Sequence, residues 1–250
     1  MRLLLINGNT SSFVTERVAA EARLAASPGT EIMAVTGETG ARIIGTRFEN
    51  AVAAREMVTL AARHAKGADG VLIAVSFDTA LSALRELMPV PVVGMTEAAL
   101  ATGYLTGGRI GVVTLGRRVQ PVYRELVEGY RLDGRVAGWR TIDDERAYTP
   151  ETSAELDAKL TEACEDLIER DMAEVILLLG AVLAGAPRRL QAALPVPLID
   201  GITSGVGQLE LLVRMKLSKP AVGSLAHPGP RELTGMDPAL DDLLGRSSET

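Results

Sequence analysis

The chain has 250 residues, 47% hydrophobic and 23% charged, enough for one large domain or two lobes of about 100–150 residues around a sizeable core. Only 3% are aromatic, so that core must be built from Ala, Val, Leu and Ile. A net charge of −6 without a basic patch excludes nucleic acid as a partner, and the single cysteine excludes an internal disulfide and suits a reducing cytoplasm.

Residues 3–6 (LLLI) form an apolar run that reads as a buried strand. The run is too short for a signal-peptide core or a membrane span, so a cytoplasmic protein with no membrane partner is expected. Asn7, Gly8, Asn9, Thr10, Ser11 and Ser12 follow, leading into helical spacing over residues 13–26 with Ser11 or Ser12 as cap. Such residues at a strand-to-helix turn either satisfy the turn and cap or, with free helix N–H groups, hold a small anion. GxGxxG is absent, so nothing supports a bound dinucleotide. Residues 31–36 read as a strand, 37–47 as a loop and 51–65 as a helix. His64 has no second His or Cys at metal spacing; it reads as a C-terminal-turn residue, and no metal is expected.

Residues 71–99 (VLIAVSFDTALSALRELMPVPVVGMTEAA) read as a buried strand, a polar turn through Ser76, Phe77, Asp78 and Thr79, a helix over 81–88, and a second strand. A second polar turn at Thr96 and Glu97 ends the stretch. Residues 175–201 (VILLLGAVLAGAPRRLQAALPVPLIDG) repeat the order strand, turn, RxL-containing helix and PVP strand. The two PVP triplets begin at Pro89 and Pro195, an offset of 106 that lays Val75 on Ala181. This is the pattern of a duplicated α/β unit, with a site between the strand ends.

Between the copies, a helix is expected beyond Glu97 to residue 105, then a strand over 109–114 ending in Thr114, a helix over 119–130 and a strand over 135–142. Thr149 and Pro150 open a helix over 151–170, with Ser153 and Glu155 near its start. Cys164 shares helical spacing with Leu156, Leu160 and Leu167, so it reads as a buried structural thiol rather than a nucleophile. A last helix over 206–217 precedes a Gly-, Pro-, Ser- and Asp-rich segment, 218–250, that reads as a partly ordered tail. The alternation of strands and helices predicts parallel sheets covered on both faces, whose ligands bind at the carboxyl ends of the strands. Asn7, Asn9, Ser76, Thr79, Thr96, Glu97 and Thr114 fall at such ends.

Six segments in this order, INGNTS, FDTALSALRE, PVVGMTEAA, GVVT, LGAVLAG and PLIDG, resemble the hydantoin and allantoin racemase branch of the aspartate/glutamate racemase superfamily. The resemblance covers nearly everything from Met1 to about Lys216. It implies an α/β fold of two pseudo-symmetric Rossmann-like lobes, each a mostly parallel sheet flanked by helices, with the active-site cleft between them. The lobes are expected at 1–105 plus 206–217 and at 106–205. It also implies a homo-oligomer, no cofactor, and a small carboxylate, hydantoin or ureido substrate. In the family, one cysteine from each lobe faces either side of a carbon acidified by carbonyls, and the two thiols exchange its proton. Here those positions are Val75 or Ser76 in the first lobe and Ala181 in the second, so a two-thiol mechanism is unavailable.

Ser76, Asp78 and Glu97 are the remaining candidates for proton transfer. A cleft could raise either carboxyl pKa into a useful range, while each acid also suits a helix N-terminus. Asn7, Asn9, Thr10, Thr79, Thr96, Thr114, Gly180, Ala181 and Val182 are the candidates for holding substrate. Three functions fit: a racemase or isomerase with different proton carriers, a decarboxylase or hydrolase using Ser76 in the same cleft, or a non-catalytic protein that binds small carboxylates.

Overall fold

The alternating pattern folds into two separate parallel sheets. In the computed structural model, which describes residues 1–144, 149 and 154–245, the first sheet contains β1 (Arg2–Asn7), β2 (Glu31–Thr36), β3 (Gly70–Ile73) and β4 (Val92–Gly94). The second contains β5 (Ile110–Leu115), β6 (Val136–Ile142), β7 (Val175–Leu179) and β8 (Leu198–Ile199). Their orders, β2-β1-β3-β4 and β6-β5-β7-β8, are the same topology used twice. Every pairing is parallel. The unbroken apolar runs of β3 and β7 are buried on both faces, as inner strands of a helix-covered sheet must be.

The helices are α1 (Ser12–Ala25), α2 (Arg47–His64), α3 (Leu81–Leu87), α4 (Met95–Thr106), α5 (Gln120–Gly129), α6 (Ala154–Asp171), α7 (Ala186–Leu190), α8 (Gly201–Met215) and α9 (Ala239–Leu243). Two of them change partners. α8 follows the second sheet but packs Ile202, Val206 and Leu209 against Leu3, Leu5 and Leu72 of the first. α4 follows the first sheet but packs Ala99 and Leu100 against Ile110, Val175 and Leu177 of the second. α4 thus lies between the lobes, with Met95 and Ala98 in the core of the first. At the crossing, a Cβ on Gly201 would run into the Met95 carbonyl, so the two helix starts touch backbone to backbone.

Other boundaries move for local reasons. α2 begins before residue 51 because Thr46 and Glu49 form a reciprocal cap: the Glu49 amide donates to Thr46 Oγ1 at 3.1 Å, and Thr46 Oγ1 donates to the Glu49 carboxylate at 2.9 Å. Thr96 and Glu97 are not a turn but the first turn of α4. α8 starts at Gly201 rather than residue 206, with Asp200 accepting from the Thr203 amide at 2.8 Å. Ser11 occupies the cap position of α1 but makes no side-chain cap bond. The expected start of the α6 helix at residues 151–153 lies outside the described residues. Cys164 is fully buried with Leu156, Leu160 and Leu167 against the second sheet, and burial pushes its thiol up to about 12.

The C-terminal segment folds back onto the first lobe. Arg63 of α2 donates to Asp237 at 2.7 and 2.9 Å, and Leu240 and Leu244 are buried. Among the described residues no helix is long and apolar enough to cross a membrane.

Candidate active site

The carboxyl ends of β1 and β3 in one lobe face those of β5 and β7 in the other. Between them is a cavity of about 50 Å³ lined by Asn9, Ala74, Val75 and Ser76 on one side and Leu115, Tyr123, Gly180, Ala181 and Val182 on the other. Val14, Ile43, Ile44 and Val119 add apolar walls, and no charged side chain is among the described residues that line it. Ligand pockets usually measure about 300–1,000 Å³, so the cleft is narrow, with room for a few water molecules.

Strand pairing shows which residues are equivalent across the lobes. Val71 of β3 pairs with Val92 of β4, and Ile176 of β7 pairs with Leu198 of β8. The PVP motifs make Val92 and Leu198 counterparts, so Val71 corresponds to Ile176. Five residues further along each strand, Ser76 corresponds to Ala181 and Val75 falls one place earlier, at Gly180. The sequence offset of 106 places Val75 on Ala181; the hydrogen-bonded register shifts that match by one residue.

Ser76 is half-buried and held at both ends. Its carbonyl accepts from Thr96 Oγ1 at 2.6 Å, and its Oγ accepts from the Tyr123 hydroxyl at 2.5 Å. Tyr123 comes from α5 in the second lobe, is 2% exposed, and stacks its ring edge-on against Phe77 at 5.1 Å. Tyr123 is absent from the sequence-derived candidates. The signal was weak but present: a tyrosine on the apolar face of a helix must find a partner for its hydroxyl.

Asp78 and Glu97, expected as proton carriers, lie elsewhere. Neither is among the residues lining the cleft. Asp78 is 5% exposed, and its two carboxylate oxygens accept from the Thr96 and Glu97 amides at 2.9 and 2.8 Å, capping α4. The Tyr130 hydroxyl adds a third bond at 2.7 Å. Burial still dominates, raising the Asp78 carboxyl to about 7 against the pull of these three bonds. The same burial, with Asp78 beside it, holds the Tyr130 phenol up and therefore protonated. Asp78 sits at φ 49° and Ala80 at φ 61°, left-handed conformations uncommon for such residues. A Cβ on Gly94 would collide with the Asp78 carboxyl group, so glycine there lets the cap seat. Glu97 is a partner of Arg85, which donates to its Oε1 at 2.9 Å and also contacts Oε2. These bonds engage both acids with helix amides, Tyr130 and Arg85, outside the cleft lining.

The remaining candidates divide the same way. Asn7 is buried and donates to Asn9 Oδ1 and Thr15 Oγ1 at 2.9 Å each, so it braces the turn. Asn9 Oδ1 also accepts from the Ser11 amide at 2.9 Å, and Asn9 lines the cleft. The Thr10 amide donates to the Ala41 carbonyl at 3.0 Å, which places Thr10 in the turn and outside the lining. Thr79 donates to Asn50 Oδ1 at 2.6 Å, and Thr114 bonds Thr141 at 3.1 Å, both away from the cavity. Thr96 acts through the Ser76 carbonyl. Gly180, at φ 146°, opens a tight turn over Ala181–Leu183 that lines the cleft. Arg17 of α1 crosses from the first lobe and donates to the Val182 carbonyl at 2.8 Å. His64 is exposed at the end of α2, and no group of metal-ligating residues is found among the described residues.

A model of the Asp/Glu/hydantoin racemase family matches residues 3–209. The chain is 30% identical over 256 residues to a hydantoin racemase of Pseudomonas sp. (strain NS671), covering 100% of this chain and 99% of that protein. Two solved structures superpose closely. An allantoin racemase from Klebsiella pneumoniae gives a TM-score of 0.89 at 33% identity, with 94% of this chain and 96% of that one covered. An allantoin racemase from Pseudomonas fluorescens gives 0.88 at 33% identity, with 94% and 100% covered.

Proposed function

The chain belongs to the Asp/Glu/hydantoin racemase family, a family of isomerases, and from that premise we propose that it moves a proton at the acidified carbon of a neutral hydantoin or open-chain ureide, using Ser76 and Tyr123 in place of the thiol pair. The hydrogen bond from Tyr123 to Ser76 Oγ carries this reading, because it puts a linked pair of protic groups at the position of the first cysteine. The relatives named as hydantoin and allantoin racemases act on such compounds, and the lining supports the same choice here. The described lining offers no cationic side chain to pair with a carboxylate substrate. A neutral ring with apolar substituents meets apolar walls and the side chain of Asn9.

The steps balance as follows. Tyr123, as phenolate, takes the Ser76 hydroxyl proton as Ser76 takes the proton from the substrate carbon, and the negative charge passes to the neighbouring carbonyl oxygen. The Asn9 amide is a candidate donor to that oxygen. The enolate then recovers a proton either from Ser76, with retention, or from water on the Ala181 face, with inversion. Hydroxide left by that water takes the Tyr123 proton and restores the phenolate. Serine and phenol hydroxyls are weaker acids than a thiol, so the reaction is slow beside a two-thiol enzyme.

A second reading is favoured by one observation: protic groups on the Ser76 side and only Ala181 opposite. Decarboxylation needs a single donor to protonate the carbanion left by CO2, and would give one enantiomer. Chiral chromatography of an enantiopure 5-substituted hydantoin, of allantoin and of a disubstituted malonate separates the readings. Loss of enantiomeric excess in the first two supports the isomerase; CO2 release from the third alone replaces it with the lyase. No reaction with any of the three leaves a binding protein.

A further inference from the structure

We propose that Asp78 and Tyr130 form a latch that holds the cleft narrow and positions Tyr123 on Ser76. Tyr123 of α5 and Tyr130 at its C-cap are seven residues apart, two helical turns, and so lie on the same side. Both donate into one short loop of the other lobe, Tyr123 to Ser76 Oγ and Tyr130 to Asp78. The loop is itself held from below: Asp78 is seated on two α4 amides, and Thr96 grips the Ser76 carbonyl. α5 and the loop therefore meet at two points, one inside the cleft and one behind it.

The point behind has the tighter environment. Tyr130 meets a buried carboxyl group that also takes two backbone donors, so three bonds converge on one side chain. Tyr123 meets a neutral hydroxyl. With the cavity at about 50 Å³, substrate entry requires the lobes to part, and lifting α5 breaks both bonds. Asp78 and Tyr130 do not line the cleft, so they are positioning residues: they set how often it opens and where the Tyr123 hydroxyl returns.

This inference takes the cleft as the active site, as proposed above, but its test involves no turnover and stands or fails separately. Ala181→Cys puts a thiol in the cleft, and the native Cys164 is fully buried and silent as background. Labelling of that thiol by an aromatic disulfide reports opening. Adding Tyr130→Phe, which removes one hydroxyl, is expected to speed labelling about tenfold and to shift the carbon NMR signal of the Tyr123 ring. Asp78→Asn should act in the same direction. Leu240→Ala, which loosens the α9 contact without touching either tyrosine's hydrogen bond, should lower the melting temperature without changing the labelling rate. An unchanged rate and an unmoved Tyr123 signal in Tyr130→Phe would overturn the latch, as would equal acceleration by Leu240→Ala.

Discussion

The Tyr123 hydroxyl donates to Ser76 Oγ at 2.5 Å, joining a helix of one lobe to the strand end of the other. Ser76 stands where strand pairing places the counterpart of Ala181. The two facts make Ser76 and Tyr123 one unit, and a unit has a kinetic signature. Ser76→Ala and Tyr123→Phe should each lower hydantoin turnover by about 100-fold or more. The double variant should be little worse than either, since residues acting together are not additive. Steady-state rates with an enantiopure hydantoin check this; additive losses would separate the two hydroxyls.

The strand register predicts how to restore the family's chemistry. Ser76→Cys with Ala181→Cys places thiols at corresponding positions, and a thiol is more acidic than the phenol it replaces. Racemisation should rise by about 100-fold over the parent. Val75→Cys with Ala181→Cys, which follows the sequence offset instead, should gain less because Val75 corresponds to Gly180. Optical rotation of allantoin and hydantoin measures both.

Asp78 predicts a pH effect on stability. Its folded-state carboxyl titrates at about 7, above the usual value of 3.8, chiefly because it is buried. Between those values the folded chain holds a proton that the unfolded chain releases. Its contribution is therefore fully present below about 4 and is lost as pH rises toward 7, with a limiting slope of about 1.4 kcal/mol per unit. The melting temperature of Asp78→Asn should lack this component, so its difference from the parent should widen as pH falls from 8 to 5. A constant difference across that range would show that Asp78 does not titrate there.

Cys164 is expected to be inert. Its thiol is pushed up to about 12 in a core of leucines, so the native chain should resist thiol reagents at pH 8 and label only on unfolding. Cys164→Ala should cost about 1 kcal/mol by urea denaturation and leave turnover unchanged. Rapid native labelling would place the thiol at the surface.

Much of the fold is legible in the sequence because parallel strands covered on both faces must be continuous apolar runs. The LLLI, VLIAV and VILLL segments show it, and the PVP repeat reveals the duplication. What local pattern cannot show is exchange between lobes. α4 follows the first sheet in sequence but packs on both lobes, Met95 and Ala98 on the first and Ala99 and Leu100 on the second, and its apolar residues do not specify which sheet they meet. The site follows the same division. Asn9, Ser76 and the Gly180–Val182 turn are visible as strand-end residues. Asp78 and Glu97 are equally visible, but their partners are the start of a helix further along the chain and Arg85. Tyr123 comes from a helix whose docking depends on both lobes. The α2 cap formed by Thr46 and Glu49 was readable as a T-x-x-E motif.

The central claim is that protic groups stand on one side of the reacting carbon, opposite Ala181. The most direct measurement is the reaction of an enantiopure 5-substituted hydantoin in deuterated water, with deuterium entry followed by mass spectrometry and configuration by chiral chromatography. One-sided transfer returns solvent deuterium with retention more often than with inversion, so exchange should outrun racemisation, and both should fall to the buffer background in Ser76→Ala. Exchange that never exceeds inversion, or that survives Ser76→Ala undiminished, would contradict the account.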